Sequence, residues 1–207
     1  MNKPFTHICA HACLLGALVT PAATLASDER LLGALDETAP IGRPTEIQDI
    51  SNSLLVVAGV RVFHSDLSGL RSKYGSAPIA RVSLREGSPL VLCYFADGNG
   101  VIFRAGAMGG WKRVTGFTVL RADALAAIRL KCSRSEALAT WLHQAGKDWL
   151  SSQELSKRLG VDTLPANGVI TTKSFNITGK VHWLTSLVAY SPGCSLEWVD
   201  VSQFVER

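Results

Sequence analysis

The sequence has little excess charge, no long apolar run and none of the compact catalytic signatures. Its 21 Lys and Arg against 17 Asp and Glu give a formal charge of +4 over 207 residues, scattered rather than blocked. That field is too weak to argue for a nucleic-acid partner. No stretch reaches the ~20 consecutive apolar residues that cross a bilayer, so no membrane span is expected. G-x-S-x-G and H-E-x-x-H are missing, and Gly106-x-x-Gly109-Gly110 lacks the lysine and following helix of a phosphate loop. Beyond residue 26 no two cysteines or histidines have ligand spacing, so neither a metal nor a cofactor is expected. What remains, 47% hydrophobic and 18% charged residues, is ordinary globular composition and excludes disordered, collagen-like and coiled-coil chains.

The N-terminus reads as a leader. Met1 to Phe5 carries Lys3, Ile8 to Val19 is a largely apolar run interrupted by His11, Pro21 breaks it, and Thr24-Leu25-Ala26 ends in small residues. This predicts a signal peptide cleaved after Ala26 and a periplasmic or secreted protein. A lipoprotein acceptor cysteine would follow the apolar run, whereas Cys9 and Cys13 lie inside it. Export leaves Cys93, Cys132 and Cys194 in an oxidising compartment, where disulfides persist. A Cys93–Cys132 bridge, tying a strand of the first meander to the chain beyond it, is the preferred pairing; Cys132–Cys194 is the alternative.

The pattern of the chain divides it into four segments. Residues 1–26 are the leader, and residues 27–53, with Pro40, Gly42 and Pro44, are an extended arm. Residues 54–121 and 122–207 each read as helix then strands. In the first, Leu54 to Phe63 is a short strand or two interrupted at Gly59. Ser65 caps a helix that Gly75 stops. Pro89 to Ala96 turns through Asp97-Gly98-Asn99-Gly100 into Val101 to Ala105, and Gly116 to Arg121 adds a third strand. In the second, Ser133 with Glu136 and Ser151 with Glu154 form capping boxes, and Gly146 and Gly160 close the two helices. Val169–Ile177, Lys180–Tyr190 and Ser195–Val201 are three more strands.

Leu70-Arg71-Ser72-Lys73-Tyr74-Gly75 aligns with Leu155-Ser156-Lys157-Arg158-Leu159-Gly160, and the order of elements matches on both sides. The expectation is an α+β fold of two helix-plus-three-stranded antiparallel meander units, a tandem repeat with helices on one face of the sheet. A lone three-stranded unit is marginal until a second adds buried area.

That unit, carrying CYFADGNGVIFRAG and GGWKRVTGF, is similar to the helix-plus-meander unit of β-lactamase inhibitory proteins and of the SmpA/OmlA outer-membrane assembly lipoproteins. The resemblance covers roughly residues 54–201 at the level of element order. It implies a binding or scaffolding protein rather than an enzyme.

The candidate binding residues are Met108, Trp111, Lys112 and Arg113, set in a glycine-rich loop that also holds Gly106, Gly109 and Gly110. Tryptophan and arginine are favoured at interface hot spots. Trp141, Trp149, Trp183 and Trp198 are expected in the core. His64-Ser65-Asp66 holds triad residue types, but three neighbours at a helix start cannot point at one another, so capping is the better reading. His143 and His182 are isolated. Leu150 to Val161 resembles the opening of a helix-turn-helix, yet no cationic recognition helix comes after it. The function expected is contact with another envelope or secreted macromolecule through an open sheet face and loops, with a periplasmic hydrolase assembled in space as the alternative.

Overall fold

A computed structural model describes residues 52–82, 88–108, 111–128, 130–161, 164, 168–178, 181–191 and 195–206. The expected leader, nearly all of the arm, Cys194 and the turn residues Gly179, Pro192 and Gly193 lie outside the described residues.

Local chemistry sets the first elements. A 3-10 turn (Asn52–Leu55) leads into β1 (Val56–Val57) and β2 (Val60–Arg61), joined by Ala58 at φ 50° and Gly59 at φ 71°. Two successive positive φ values make the turn whose twist matches paired strands. Helix α1 (Leu67–Tyr74) is capped by Asp66 rather than Ser65. Asp66 Oδ1 accepts from the Gly69 N–H at 2.7 Å and from Ser68 Oγ at 2.6 Å, while Ser65 Oγ accepts from the Arg61 N–H at 3.3 Å. A carboxylate also suits the positive end of the helix, which favours Asp66 over its neighbour. The Gly69 N–H and then the Ser68 hydroxyl hold its carboxyl below the ordinary range.

The remaining strands form one sheet. They are β3 (Ala80–Arg81), β4 (Leu90–Ala96), β5 (Asn99–Met108), β6 (Trp111–Arg121), β7 (Ser133–Arg134), β8 (Gly168–Thr178), β9 (Val181–Ser191) and β10 (Trp198–Glu206). The order is β3-β4-β5-β6-β10-β9-β8, with β7 parallel to β4 and every other pairing antiparallel. The β4–β5 turn is the expected one, with Asp97 at φ 49° and Gly98 at φ 78°. The two meanders share this sheet because their last strands pair, from Gly116↔Ser202 to Leu120↔Trp198.

Side chains alternate between two faces. On the first, Leu92, Tyr94, Val101, Phe103, Phe117, Val119, Leu187, Ala189, Val199 and Val201 are buried in one core with residues of the β1–β2 hairpin, α1, α3 (Glu136–Asp148) and α4 (Ser152–Leu159). Trp149 meets Phe117 edge-on at 5.4 Å, and the Tyr94 hydroxyl donates to the Gly75 carbonyl at 2.9 Å. On the second face Val91, Cys93, Ile102, Leu120, Val188, Tyr190 and Trp198 cluster with Ala124 and Leu125 of α2 (Ala122–Ala127). Helices therefore occupy both faces, not one. Gly100 is part of the reason: a Cβ there would stand 2.9 Å from Leu125 Cδ1, so its absence lets α2 settle on the sheet.

The chain then wraps the β4 edge. Cys132 stands at disulfide distance from Cys93, with Cα atoms 4.5 Å apart, as the preferred pairing expected. β7 pairs with Tyr94 and Phe95, and α3 lies over β4 and β5. The segment expected to open the second unit thus packs on the first meander. α3 begins at Glu136 with Ser135 at its N-cap position, rather than from Ser133. Both hydroxyls serve the end of α1 and the chain just beyond it instead: Ser135 Oγ donates to the Tyr74 carbonyl at 2.7 Å and Ser133 Oγ to that of Ser76 at 3.3 Å. Gly146 does not end α3, which runs on to Asp148. A Cβ at Gly146 would lie 2.6 Å from Asn99 Nδ2, which donates to the Leu142 carbonyl at 3.1 Å. Its role is close approach, not termination. α4 keeps the expected Ser151 cap and the left-handed Gly160 at φ 67°.

Trp149 and Trp198 are buried as expected, and Trp141 is partly so. Among the described residues no helix is long and apolar enough to cross a membrane.

Candidate functional site

The segment expected to be a glycine-rich loop is the outer end of a long hairpin. β5 continues to Met108 and β6 starts at Trp111, with rungs Gly106↔Arg113, Ala107↔Lys112 and Met108↔Trp111; Gly109 and Gly110 lie outside the described residues. The register shifts between Arg104 and Ala105, which face Gly116 and Val114 and leave Thr115 as the extra residue. Such a bulge bends and twists the strand that carries it. Gly106 sits beside it, where a Cβ would be 3.3 Å from Thr115 Cγ2. Gly106 therefore serves a bulged strand pair, a role that composition alone does not separate from a loop.

Beyond the bulge the hairpin leaves its neighbours. The β4 pairing ends at Leu90↔Ala105 and the β10 pairing at Ser202↔Gly116. The vacated edge of β6 is taken by the turn before α1. The Phe63 N–H donates to the Val114 carbonyl at 2.8 Å, the Val114 N–H donates to the Ser65 carbonyl at 2.9 Å, and Asp66 bridges Arg113. Arg113 Nη1 adds a bond to the Phe63 carbonyl at 2.9 Å. Phe63 itself has φ 62°, an uncommon conformation for a bulky residue, and its ring meets Trp183 edge-on at 4.9 Å. Bonds at its N–H and carbonyl and a ring contact together hold a strained backbone in place.

The expected binding residues therefore divide. Lys112 and Arg113 are exposed on β6. Arg113 also holds the supporting turn, a role its sequence context did not announce. Met108 and Trp111 form the last rung.

A second polar group was not anticipated. Arg104 on β5, Thr118 on β6 and Asp200 on β10 are buried together on the second face of the sheet. Arg104 Nη1 and Nη2 donate to Asp200 Oδ1 and Oδ2, the latter at 2.8 Å. Thr118 Oγ1 accepts from Arg104 Nη1 at 2.8 Å and donates to Asp200 Oδ1 at 2.6 Å. Gly116 makes room for the crossing: a Cβ there would lie 2.6 Å from Arg104 Nη2 and 2.6 Å from the Val201 carbonyl oxygen. The available signal was one cation in VIFRA and one carboxylate in WVDV, each in an otherwise apolar strand run. Buried charges are tolerated when paired and hydrogen-bonded, and this group meets that condition.

The triad residue types of His64-Ser65-Asp66 are not assembled. His64 is exposed, while Ser65 and Asp66 are engaged in the turn and cap. His143 is exposed on α3. Among the described residues no group of three or more His, Cys, Asp or Glu is placed to hold a metal ion. No family model, curated protein or solved structure matches this chain.

Proposed function

We propose that the chain is an exported binding or scaffold protein that contacts another envelope or secreted macromolecule through the end of the β5–β6 hairpin, at Met108, Trp111, Lys112 and Arg113. The observation that carries this reading is the departure of the hairpin from both neighbouring strands, with exposed Lys112 and Arg113 backed by the pinned Phe63 turn. A projecting element held by a rigid support loses little entropy on docking. Tryptophan and arginine, both present at this end, are types favoured at the centres of protein interfaces.

Export is supported by the leader pattern of residues 1–26 and by the Cys93–Cys132 pair, which suits an oxidising compartment. A duplicated helix-meander architecture is supported by the mirror-like strand order β4-β5-β6 against β10-β9-β8. The expected open sheet face narrows to the hairpin end, because the central positions of both faces are buried.

The test is capture from a bacterial envelope fraction by the oxidised chain without residues 1–26, beside Trp111→Ala and Lys112→Ala. The expected result is loss of capture by both variants at an unchanged melting temperature. A large drop in stability for Trp111→Ala would assign that residue to the core and end the proposal.

A further inference from the structure

Between β6 and β7 the chain forms a strap across the second face of the sheet, described except at Arg129. It leaves β6 at Arg121, whose N–H donates to the Glu197 carbonyl at 3.0 Å, and rejoins the ladder at Ser133, paired with Tyr94. Between these anchors Leu125, Ile128, Leu130 and Cys132 are half-buried and pack on the cluster that holds Cys93, Ile102 and Trp198.

The strap's own hold on the sheet is weak. α2 is six residues long, and Arg121 at its N-cap position makes no side-chain cap bond. A helix that short is marginal unless packing sustains it. Leu130, Lys131 and Cys132 belong to neither helix nor strand, and Lys131 is exposed. In the same cluster the Trp198 indole N–H is buried and, among the described residues, has no acceptor. Water would satisfy that donor once the strap lifts, so the closed state carries a cost that the open one does not.

We infer that the Cys93–Cys132 bond is a redox-sensitive latch: reduced by a dithiol, it lets α2 and the strap after it lift from the second face, hinged at Arg121 and Ser133, while the sheet stays formed. The far hinge holds because the Ser135 N–H donates to the Phe95 carbonyl at 3.1 Å and its hydroxyl to that of Tyr74, with α3 packed on the first face. Cys93 is buried and Cys132 half-buried, so an incoming thiolate meets Cys132 first. It forms a mixed disulfide at Cys132 Sγ as the Cys93–Cys132 bond breaks and Cys93 leaves as a thiolate that takes a proton. The second thiol of the reductant then attacks its partner sulfur in that mixed disulfide, and Cys132 leaves and takes the other proton. Two electrons pass to the cysteines, and the dithiol ends as a disulfide.

The experiment is timed trypsin digestion of the full chain, oxidised or treated with dithiothreitol and desalted. Cut sites are read by mass spectrometry and the sheet by far-ultraviolet circular dichroism. Cleavage after Lys131 should be faster in the reduced chain by roughly tenfold or more, at an unchanged sheet signal, and reoxidation should restore the slow rate. Cys132→Ser should be cut at the fast rate before and after the same treatment. Equal rates in the oxidised and reduced chain overturn the inference. So does a reduced chain cut throughout its strands with the sheet signal lost, because the bond would then support the whole fold rather than latch the strap.

Discussion

The guanidinium of Arg104 passes over Gly116 to the carboxylate of Asp200, joining strands β5 and β10 across the intervening β6. It is a charged link between the two meanders, and it lies within the sheet rather than at its rim. Removing one partner of such a pair leaves a buried charge uncompensated. Asp200→Ala should therefore cost about 3–5 kcal/mol, read as a lower urea midpoint, while the double change Arg104→Leu with Asp200→Leu should recover most of that loss. A double variant as unstable as the single one would mean the pair contributes more than charge balance.

Gly116 is the gap through which that link runs. An alanine there would press on the Val201 carbonyl oxygen at 2.6 Å as well as on Arg104, and backbone yields less easily than a side-chain end. Gly116→Ala should cost about 1–3 kcal/mol in thermal unfolding, a crowding penalty rather than a cavity. The contrasting case is Gly146, whose 2.6 Å neighbour is the amide end of Asn99. Gly146→Ala should be milder, and Asn99→Ala should relieve it.

The Asp66 cap gives acid stability a definite sign. Its carboxyl is held below the ordinary range, chiefly by the Gly69 N–H, so its contribution is full above the unfolded carboxylate range near ~3.9 and is lost as pH falls through the folded value. Asp66→Ala should cost about 1 kcal/mol at neutral pH, whereas Asp66→Asn should keep the cap and remove this part of the acid dependence. Urea midpoints measured between pH 3 and 7 would show it. In the alkaline direction, burial pushes the Tyr94 hydroxyl up. Its contribution is present below ~10 and declines as pH rises from there through the folded value.

The Cys93–Cys132 link closes a loop with a sequence separation of 39. Replacing both cysteines by alanine should cost about 4 kcal/mol on a loop-entropy account, or less if the denatured chain stays compact. Thermal unfolding with and without reductant compares the two. Insensitivity to both changes would mean that β7 and the start of α3 hold the β4 edge without the bond.

What was legible in the sequence was local. Asp97-Gly98 declared its hairpin, Ser151 and Gly160 declared the limits of α4, and the six meander strands were readable from their β-branched runs, because each cue acts within a few residues. Where two adjacent residues could play one part, the choice depended on distant chain. Ser65 lost the cap to Asp66, and Ser133 and Ser135 turned to carbonyls sixty residues away in sequence, roughly, by the packing of α1 against α3. Gly106 read as part of a loop because a bulge leaves no separate signature from a turn. The Arg104–Asp200 link stayed hidden for a different reason: nothing near either residue specifies that β6 will lie between them.

Because β10 lies between β6 and β9, the last described strand of the chain sits inside the sheet. A polypeptide emerging N-terminus first can complete its first meander and still present the bare margin of β6 until residues 198–206 arrive. Completion of the sheet therefore waits for residues 198–206, and a chain cut short before Trp198 would lack the seam of the sheet rather than its border.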